Sequence, residues 1–307
     1  MKNIKQAEPL NLAIVGKGAI GSLIASQCDK LNYDYQLLLR DKQTLSLQVE
    51  RFDGQQHKFT PKISQIDQPN KFDLVILPIK VYQVSGALNS LQNSLQPAQV
   101  IVLLHNGMGT IEEVQKRFPH NPCIAGTTSY GAYKPSEFSS KETGLGETHL
   151  GWITAAPKGT KQQVENLLSN ILPPTTWHTD ITLALWRKLT INAVINPLTA
   201  IHQIQNGQLL QTQYAAQITK ICSEISLIMQ AIGYSETSAE LVELVMAVAE
   251  KTANNFSSMH QDIQHKRRTE IEFINGYVIK VAEKLGLRAE ENNSLLRQVI
   301  QLETNST

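Results

Sequence analysis

The chain has 307 residues, which corresponds to about two ordinary domains and is long enough to bury a substantial core. Apolar residues make up 41% of it and charged residues 18%, which is an ordinary globular composition. The formal net charge of +1 argues against a global field that would attract nucleic acid or an acidic membrane, although it leaves room for a local anion site.

The cysteines and the apolar runs indicate the cellular compartment of the protein. Cys28, Cys123 and Cys222 lie far apart and form no CxxC pair. We therefore expect neither a disulfide framework nor a zinc or other metal site, and a reducing compartment fits. The first ten residues, MKNIKQAEPL, lack the apolar stretch of a signal peptide, and no apolar run reaches the roughly 20 residues that span a bilayer. We expect a cytoplasmic protein with no membrane or nucleic-acid partner.

Short apolar runs alternate with helical patterns over the first half of the chain. The runs at 11–15, 35–39, 73–79 and 100–104 predict buried strands, and segments 123–128 and 149–153 are candidates for two more. Such alternation is typical of a parallel α/β sheet. After Pro173 and Pro174 the patterns become long and helical. The sequence thus predicts an α/β domain over residues 1–179 and an all-helical domain over residues 180–307.

A glycine-rich loop directly follows the first predicted strand and opens the first helical pattern. Gly16, Gly18 and Gly21 have the spacing G-x-G-x-x-G. In that setting the glycines permit a tight turn, a close approach of a pyrophosphate and close packing of helix on sheet. The helix N-terminus adds unpaired N–H groups for the anion. The alternative is a structural turn in a fold that has lost its cofactor site. We expect the segment to bind a dinucleotide through Gly16, Lys17, Gly18, Ala19, Ile20 and Gly21.

Arg40 follows the second predicted strand, close to where NAD-binding folds place an acidic residue for the ribose 2′-hydroxyl. An arginine there can hold a 2′-phosphate by bidentate hydrogen bonds, which favours NADPH over NADH. Asp41 would let NADH compete if its carboxylate faced the ribose. The alternative for Arg40 is an ordinary solvated surface arginine.

A polar stripe is predicted on the first helix of the second half. Lys188, Asn192 and Asn196 are spaced four residues apart, so a helix stacks them along one face. One ammonium group and two amides could bind a carboxylate and a carbonyl oxygen, or the stripe could simply face solvent. Pro197 lacks an N–H and disfavours the α conformation of Asn196, which predicts a kink or a helix end there.

Four segments together resemble the ketopantoate reductase family. They are HNGMGT at 105–110, WRKLTINAVINPLTA at 186–200, SSMHQDI at 257–263 and RTEIEFINGY at 268–277. The likeness runs from about residue 11 to about residue 300. It implies a Rossmann domain followed by a helical domain of the 6-phosphogluconate dehydrogenase C-terminal type, with the active site in the cleft between them. It also implies reduction of 2-dehydropantoate to (R)-pantoate with NADPH, on the route to coenzyme A.

The resemblance also implies roles for particular residues. Lys188 would be the catalytic lysine, and Glu270 would complete the catalytic site and touch the cofactor. The cofactor would further contact Lys80 and the backbone of Ala132, while Asn106 would lie near both nicotinamide and substrate. The groups that would contact the substrate, besides Asn106 and Lys188, are Asn192, Asn196, Asn206 and Ser258.

The chemistry explains why a lysine would be needed. Hydride transfer to a ketone builds negative charge on the carbonyl oxygen, and a positioned acid must donate a proton to it. A lysine can do so if desolvation or nearby positive charge lowers its pKa, while the cofactor supplies the hydride.

Ser258 and Glu270 are twelve residues apart, which on one straight helix is about 18 Å and too far for one small substrate. Ser258-x-x-Gln261 and Thr269-x-x-Glu272 both have the pattern of capping boxes. They predict two helices with a break near 266–268, which places Ser258 at a helix N-terminus and Glu270 in the first turn of the next helix. The alternative is that both residues merely begin helices.

Two other functions compete with ketopantoate reduction. A reductase of another 2-keto acid or of an opine-type substrate would keep the fold and Lys188 but alter the substrate-facing set, whose asparagines and serine are all present. A non-catalytic NADPH-binding regulator would have lost Lys188 or Asn106, and neither is lost. A monomer and a homodimer are both compatible with the sequence.

Overall fold

A computed structural model describes residues 10–41, 43–68, 71–157 and 159–306. The contacts divide the chain into two compact units. The first extends to His105 and resumes over Thr110–Ile181, and the second consists of Asn106–Gly109 and the chain from Thr182 onward. Nine of the ten residues behind the signal-peptide prediction lie outside the described residues. The predicted domain division between residues 179 and 180 stays a prediction.

The first unit alternates strands with helices, as the apolar runs predict. Its helices are α1 (Ala19–Lys30), α2 (Val81–Leu91), α3 (Ile111–Arg117) and α4 (Lys161–Ile171). Its strands in the described residues are β1 (Leu12–Val15), β2 (Tyr35–Leu39), β3 (Leu47–Glu50), β4 (Gln56–Phe59), β5 (Lys62–Gln65), β6 (Leu74–Leu77), β7 (Val100–Leu104), β8 (Cys123–Thr128), β9 (Gly131–Ser136), β10 (Ser139–Gly144), β11 (Thr148–Trp152) and β12 (Thr175–His178).

The main sheet has the strand order β12-β11-β8-β7-β6-β1-β2-β5. Its strands pair in parallel except that β11 runs antiparallel to β8. The chain leaves β1 towards β2 on one side and later returns to β6 on the other, so β1 marks the point where the strand order reverses. Ligands of open α/β sheets bind at the carboxyl ends of the strands at such a point.

Both faces of the main sheet are covered, which is why its strands are continuous apolar runs. Leu12 and Ile14 face one core, where they pack with residues of α1 and α4. Ala13 and Val15 face the other core, which contains residues of α2 and α3. This alternation follows from the period of two in a strand.

A smaller sheet has the order β4-β3-β10-β9. It was not predicted from the sequence, because its strands are half exposed and carry few apolar residues. Leu47 and Val49 are buried on β3, whereas Gln48 between them is exposed. The helix α1 packs against this sheet. The small sheet therefore lies beside the helix that begins at the glycine loop.

The described residues of the second unit form helices and no strand, as predicted. The helices are α5 (Thr182–His202), a short 3-10 helix (Asn206–Leu210), α6 (Thr212–Ala231), α7 (Ser238–Lys251), α8 (Ser258–Gln264), α9 (Ile271–Lys284) and α10 (Glu290–Ser306). The helix α5 contacts each of the others. Most of α5 is therefore buried, including the polar residues Thr190, Asn192, Asn196 and Thr199, whereas Arg187 and His202 are exposed. No described helix is long and apolar enough to cross a membrane.

Two local predictions need correction. The strand predicted over 73–79 ends at Leu77, because Pro78 has no N–H for a ladder bond. Lys80 lies beyond this strand and directly precedes α2. The sequence predicted a kink or a helix end at Pro197, and the helix end is wrong, because α5 continues through Pro197 to His202.

Candidate active site

The glycine loop occupies the turn between β1 and α1. Gly16 has φ +83°, a backbone conformation that L side chains rarely adopt. A Cβ at Gly21 would lie 3.3 Å from the Gly16 carbonyl oxygen and 3.4 Å from Cγ of Pro78, so the third glycine permits close packing of helix on sheet. In a dinucleotide-binding loop the three glycines permit a tight turn, close packing of helix on sheet and close approach of the pyrophosphate, and Gly16 and Gly21 fit the first two of these roles.

Gly18 provides the third. A Cβ there would meet only the Pro78 carbonyl oxygen, at 3.8 Å, so packing within the protein does not explain the missing side chain. Gly18 precedes α1, and no side chain caps the first N–H groups of this helix. Open space beside uncapped N–H groups suits a pyrophosphate. The loop therefore fits a dinucleotide.

Arg40 directly follows β2, and its side chain is exposed. Within the described residues it forms no salt bridge, and its carbonyl oxygen accepts a hydrogen bond from Gln65. Asp41 is exposed as well. An exposed guanidinium without an acidic partner is suited to a phosphate.

The small sheet contributes further groups beside the loop. Ala132 is partly buried on β9, in register with Glu142 of β10. The Lys17 ammonium forms a 2.7 Å ion pair with Glu137 and lies 4.7 Å from the centre of the Phe138 ring. Lys134 donates to the Lys17 carbonyl oxygen at 3.1 Å. Burial and the neighbouring Lys17 charge lower the pKa of Lys134. The turn between β9 and β10 thus holds the glycine loop, a contact that sequence reasoning missed.

In the second unit, Lys188 lies on α5 and is partly buried. Desolvation lowers its pKa below the ordinary lysine value, since a buried ammonium loses its hydration. Its side chain has no hydrogen bond or ion pair within the described residues. A lysine in this environment is suited to give up a proton.

The two asparagines of the stripe are buried on the same helix. Asn192 is 7% exposed and Asn196 is 6% exposed, which rules out a solvent-facing stripe. The Nδ2 of Asn192 is buried and has no hydrogen-bond partner among the described residues. Buried amides normally find partners, so this donor is available for a ligand oxygen.

Asn206 begins the 3-10 helix that packs against α5. Its Nδ2 donates to Thr252 Oγ1 at 2.9 Å, and its Oδ1 is buried without a partner in the part of the chain that the structure describes. A free amide oxygen accepts hydrogen bonds. The second unit thus offers one unused amide donor, on Asn192, and one unused amide acceptor, on Asn206.

The predicted break between Ser258 and Glu270 is present, but the capping residues differ. Ser257, not Ser258, caps α8, and its Oγ accepts from the His260 N–H at 3.1 Å. Ser258 is the first helical residue and is exposed. Glu270 stands just before α9 rather than in its first turn. The sequence signal for Ser257 was the doublet Ser257-Ser258, in which the first serine is the N-cap residue.

Glu270 is 3% exposed, and its Oε2 accepts from Asn106 Nδ2 at 3.3 Å. Asn106 belongs to the part of HNGMGT that lies in the second unit, where the Met108 N–H donates to the Phe273 carbonyl oxygen. Gly107 has φ +78°, and a Cβ there would lie 2.7 Å from that same oxygen. The structure therefore brings together Asn106 and Glu270, which are 164 residues apart.

A glycine loop at the switch point of a Rossmann-type sheet, with a lysine-bearing helical unit, is the arrangement of a nicotinamide-dependent reductase. The profile of Ketopantoate reductase PanE/ApbA matches residues 12–154, and that of Ketopantoate reductase PanE/ApbA C terminal matches residues 180–303. The chain belongs to the ketopantoate reductase family.

Individual proteins agree with this assignment. The chain is similar to the 2-dehydropantoate 2-reductase of Vibrio cholerae, with 36% identity over 96% of this chain and 98% of that one. A solved structure of a probable 2-dehydropantoate 2-reductase from Bacillus subtilis is 26% identical, with a TM-score of 0.79 over 95% of this chain and 100% of that one. D-mandelate dehydrogenase, solved with NADH, is 21% identical, with a TM-score of 0.88 over 97% of this chain and 99% of that one, and it supports the fold alone.

Proposed function

We propose that this chain reduces 2-dehydropantoate to pantoate with NADPH. Family membership over both units and the 36% identity to a 2-dehydropantoate 2-reductase support the reaction. The observation that carries the proposal is the chemistry collected in the second unit. It combines a lysine whose pKa is lowered by burial with an unused amide donor and an unused amide acceptor.

The first unit would hold the cofactor. The loop around Gly18 would receive the pyrophosphate, and Arg40 would bind the 2′-phosphate. Lys80, which precedes α2, and Ala132, on β9, would contact the cofactor further along. When bound, NADPH supplies the hydride. The other groups in this proposal are Asn106 and Glu270, whose hydrogen bond keeps the amide oriented.

The second unit would bind the keto acid and supply the proton. Lys188 would donate to the carbonyl oxygen as negative charge develops on it. Asn192 would donate to a substrate oxygen from its unused Nδ2, and Asn206 would accept from a substrate hydroxyl with its unused Oδ1. Asn196 and Ser258 would complete the contacts, with Ser258 at a helix start suited to a carboxylate.

One assay tests the proposed function directly. Purified protein is mixed with NADPH and a panel of 2-keto acids, and oxidation of NADPH is followed by its absorbance. We expect 2-dehydropantoate to be turned over with the highest kcat/KM of the panel. Lack of turnover with every keto acid would favour a non-catalytic regulator, and preference for another member would favour the general reductase.

Cofactor choice should depend on Arg40. We expect the wild type to prefer NADPH over NADH, and Arg40→Ala to remove about tenfold or more of that preference, because a bidentate charged contact is lost. The measurement is kcat/KM for each cofactor at saturating 2-dehydropantoate. Arg288→Ala is a control, since Arg288 lies in the second unit and forms an exposed ion pair with Glu290. Equal use of both cofactors by the wild type would remove the role given to Arg40.

The pH profile should show the lowered pKa of Lys188. Reduction needs the protonated lysine, so we expect kcat/KM for 2-dehydropantoate to fall as pH rises, beginning below the ordinary lysine value of 10.5. Oxidation of pantoate by NADP⁺ needs the neutral lysine and should rise over the same range. A reduction rate that stays flat up to 10.5 would contradict the assignment.

The sequence and the cysteines also bear on the partners and the cellular location of the proposed enzyme. We propose a small-molecule substrate, no nucleic-acid or membrane partner, and either a monomer or a homodimer in the cytoplasm. The three cysteines are free and buried, which agrees with a reducing compartment.

A further inference from the structure

A proline inside α5 creates a local problem for the backbone. Pro197 has no N–H, so the carbonyl of Ala193 lacks the hydrogen bond that a helix normally makes four residues on. Ala193 is fully buried. An unpaired carbonyl in such surroundings is costly, and a donor from elsewhere is required.

Asn275 supplies that donor. This residue lies on α9 and is 0% exposed, and its Nδ2 donates to the Ala193 carbonyl oxygen at 3.0 Å. The same Nδ2 donates to Oδ1 of Asn292 at 2.9 Å. The Oδ1 of Asn275 has no partner within the described residues. The amide is thus oriented for donation even though its own oxygen stays unpaired.

A further chain of bonds fixes the orientation of Asn275. The Nδ2 of Asn292 donates to Oε2 of Glu224 at 2.7 Å. The same carboxylate accepts from the backbone N–H groups of Glu291 and Asn292, at 2.7 and 3.0 Å. Glu224 on α6 therefore anchors the first turn of α10. This contact orients the side chain of Asn292, which accepts the hydrogen bond from Asn275.

The carbonyl held in this way lies between two of the proposed substrate contacts. Ala193 follows Asn192 directly and precedes Asn196 by three residues. Farther along α5, the Thr199 hydroxyl donates to the Ile195 carbonyl oxygen at 2.7 Å and contacts Ser257 Oγ at 2.7 Å. The turn that bears Asn192 and Asn196 is therefore fixed from α9 and from α8.

We infer that Asn275 is a positioning residue: its amide replaces the N–H that Pro197 lacks and thereby fixes the geometry of Asn192 and Asn196. The inference about catalysis rests on the proposed function. The contact itself does not, so the two are tested by separate measurements.

A stability cycle tests the contact without any assay of activity. We expect Asn275→Ala to lower the melting temperature by about 5 °C or more in the wild-type background. In the Pro197→Ala background, residue 197 regains an N–H for the Ala193 carbonyl, and the same change should cost half as much or less. Equal losses in the two backgrounds would overturn the inference.

Kinetics test the positioning role. At a temperature where all variants are folded, Asn275→Ala should lower kcat/KM for 2-dehydropantoate by about tenfold or more, in line with the loss of precise orientation. The dissociation constant of NADPH should stay within about twofold, because the loop and Arg40 are in the other unit. Pro197→Ala should reduce the kinetic effect of Asn275→Ala to within about threefold.

Asn121→Ala is the matched control. Asn121 is also buried, and its Nδ2 likewise donates to two oxygens, the carbonyls of Gln96 and Gln99. This change should lower the melting temperature but leave kcat/KM for the keto acid unchanged. A similar loss of kcat/KM in both variants would mean that Asn275 acts through general stability alone.

Two outcomes need a second measurement. If Asn275→Ala does not fold, Asn292→Ala replaces it: a lower kcat/KM with unchanged NADPH affinity supports the inference, and an unchanged kcat/KM overturns it. If the wild type turns over no keto acid, the proposed function fails, and the stability cycle alone decides whether Asn275 replaces the missing N–H.

Discussion

Replacement of Lys188 by alanine should lower kcat for 2-dehydropantoate by at least about a hundredfold, within the range for loss of a general acid. The ammonium is the only group assigned to protonate the developing alkoxide, and burial already lowers its pKa. Cofactor binding should survive, because the glycine loop and Arg40 are on the first unit. Stopped-flow measurement of NADPH oxidation together with NADPH titration would separate the two effects.

Further variants distinguish loss of the proton donor from loss of structure. Lys188→Met keeps most of the side-chain volume but removes a charge that is costly to bury, so it should be as inactive as Lys188→Ala and at least as stable as the wild type. Lys220→Ala, on the exposed surface of α6, is the control and should remain active. A primary alkylamine should restore part of the activity of Lys188→Ala. A kcat close to that of the wild type in Lys188→Met would assign the proton to another group.

The sequence predicted the parts of the fold that are buried on two faces. The strands over 35–39, 100–104 and 123–128 have the predicted ends. The first two are short, largely apolar runs, as expected for strands that are covered on both faces. The small sheet was missed because its strands are short and half exposed, and β12 was missed because Thr175 and Thr176 give no apolar run. Position in space rather than local pattern makes these segments strands.

The site was predictable where it depends on local spacing. The glycines at 16, 18 and 21 and the polar stripe of α5 need only the geometry of a turn and of a helix. The bond from Asn106 to Glu270 joins residues 164 positions apart, and no periodicity relates them. Of the two outcomes predicted at Pro197, the helix end was wrong: α5 continues, and the freed Ala193 carbonyl accepts a hydrogen bond from Asn275 on another helix. Tertiary contacts decided both cases.

The expected substrate preference follows from the unused polar atoms of the second unit. A carboxylate and a carbonyl supply only acceptors, which in the proposed site would be bound by Lys188, Ser258 and the Nδ2 of Asn192. The unused Oδ1 of Asn206 needs a donor instead, and the terminal hydroxyl of 2-dehydropantoate is one. A buried polar group built for a hydroxyl is left unpaired when the substrate lacks it, which strongly disfavours the smaller compound.

We therefore expect kcat/KM for 2-dehydropantoate to exceed that for 2-ketoisovalerate, which lacks the hydroxymethyl group, by at least about a hundredfold. Asn206→Ala or Asn196→Ala should reduce this ratio of kcat/KM values by a larger factor than it reduces kcat/KM for 2-ketoisovalerate. The reason is that the truncated site no longer leaves a buried polar group unpaired when the substrate lacks the hydroxymethyl group. Asn206→Asp keeps an acceptor at the same place and should preserve more of the ratio than Asn206→Ala does. The comparison requires kcat/KM for both keto acids with each variant at saturating NADPH. Equal turnover of the two compounds by the wild type would reject 2-dehydropantoate as the preferred substrate and leave a general 2-keto acid reductase.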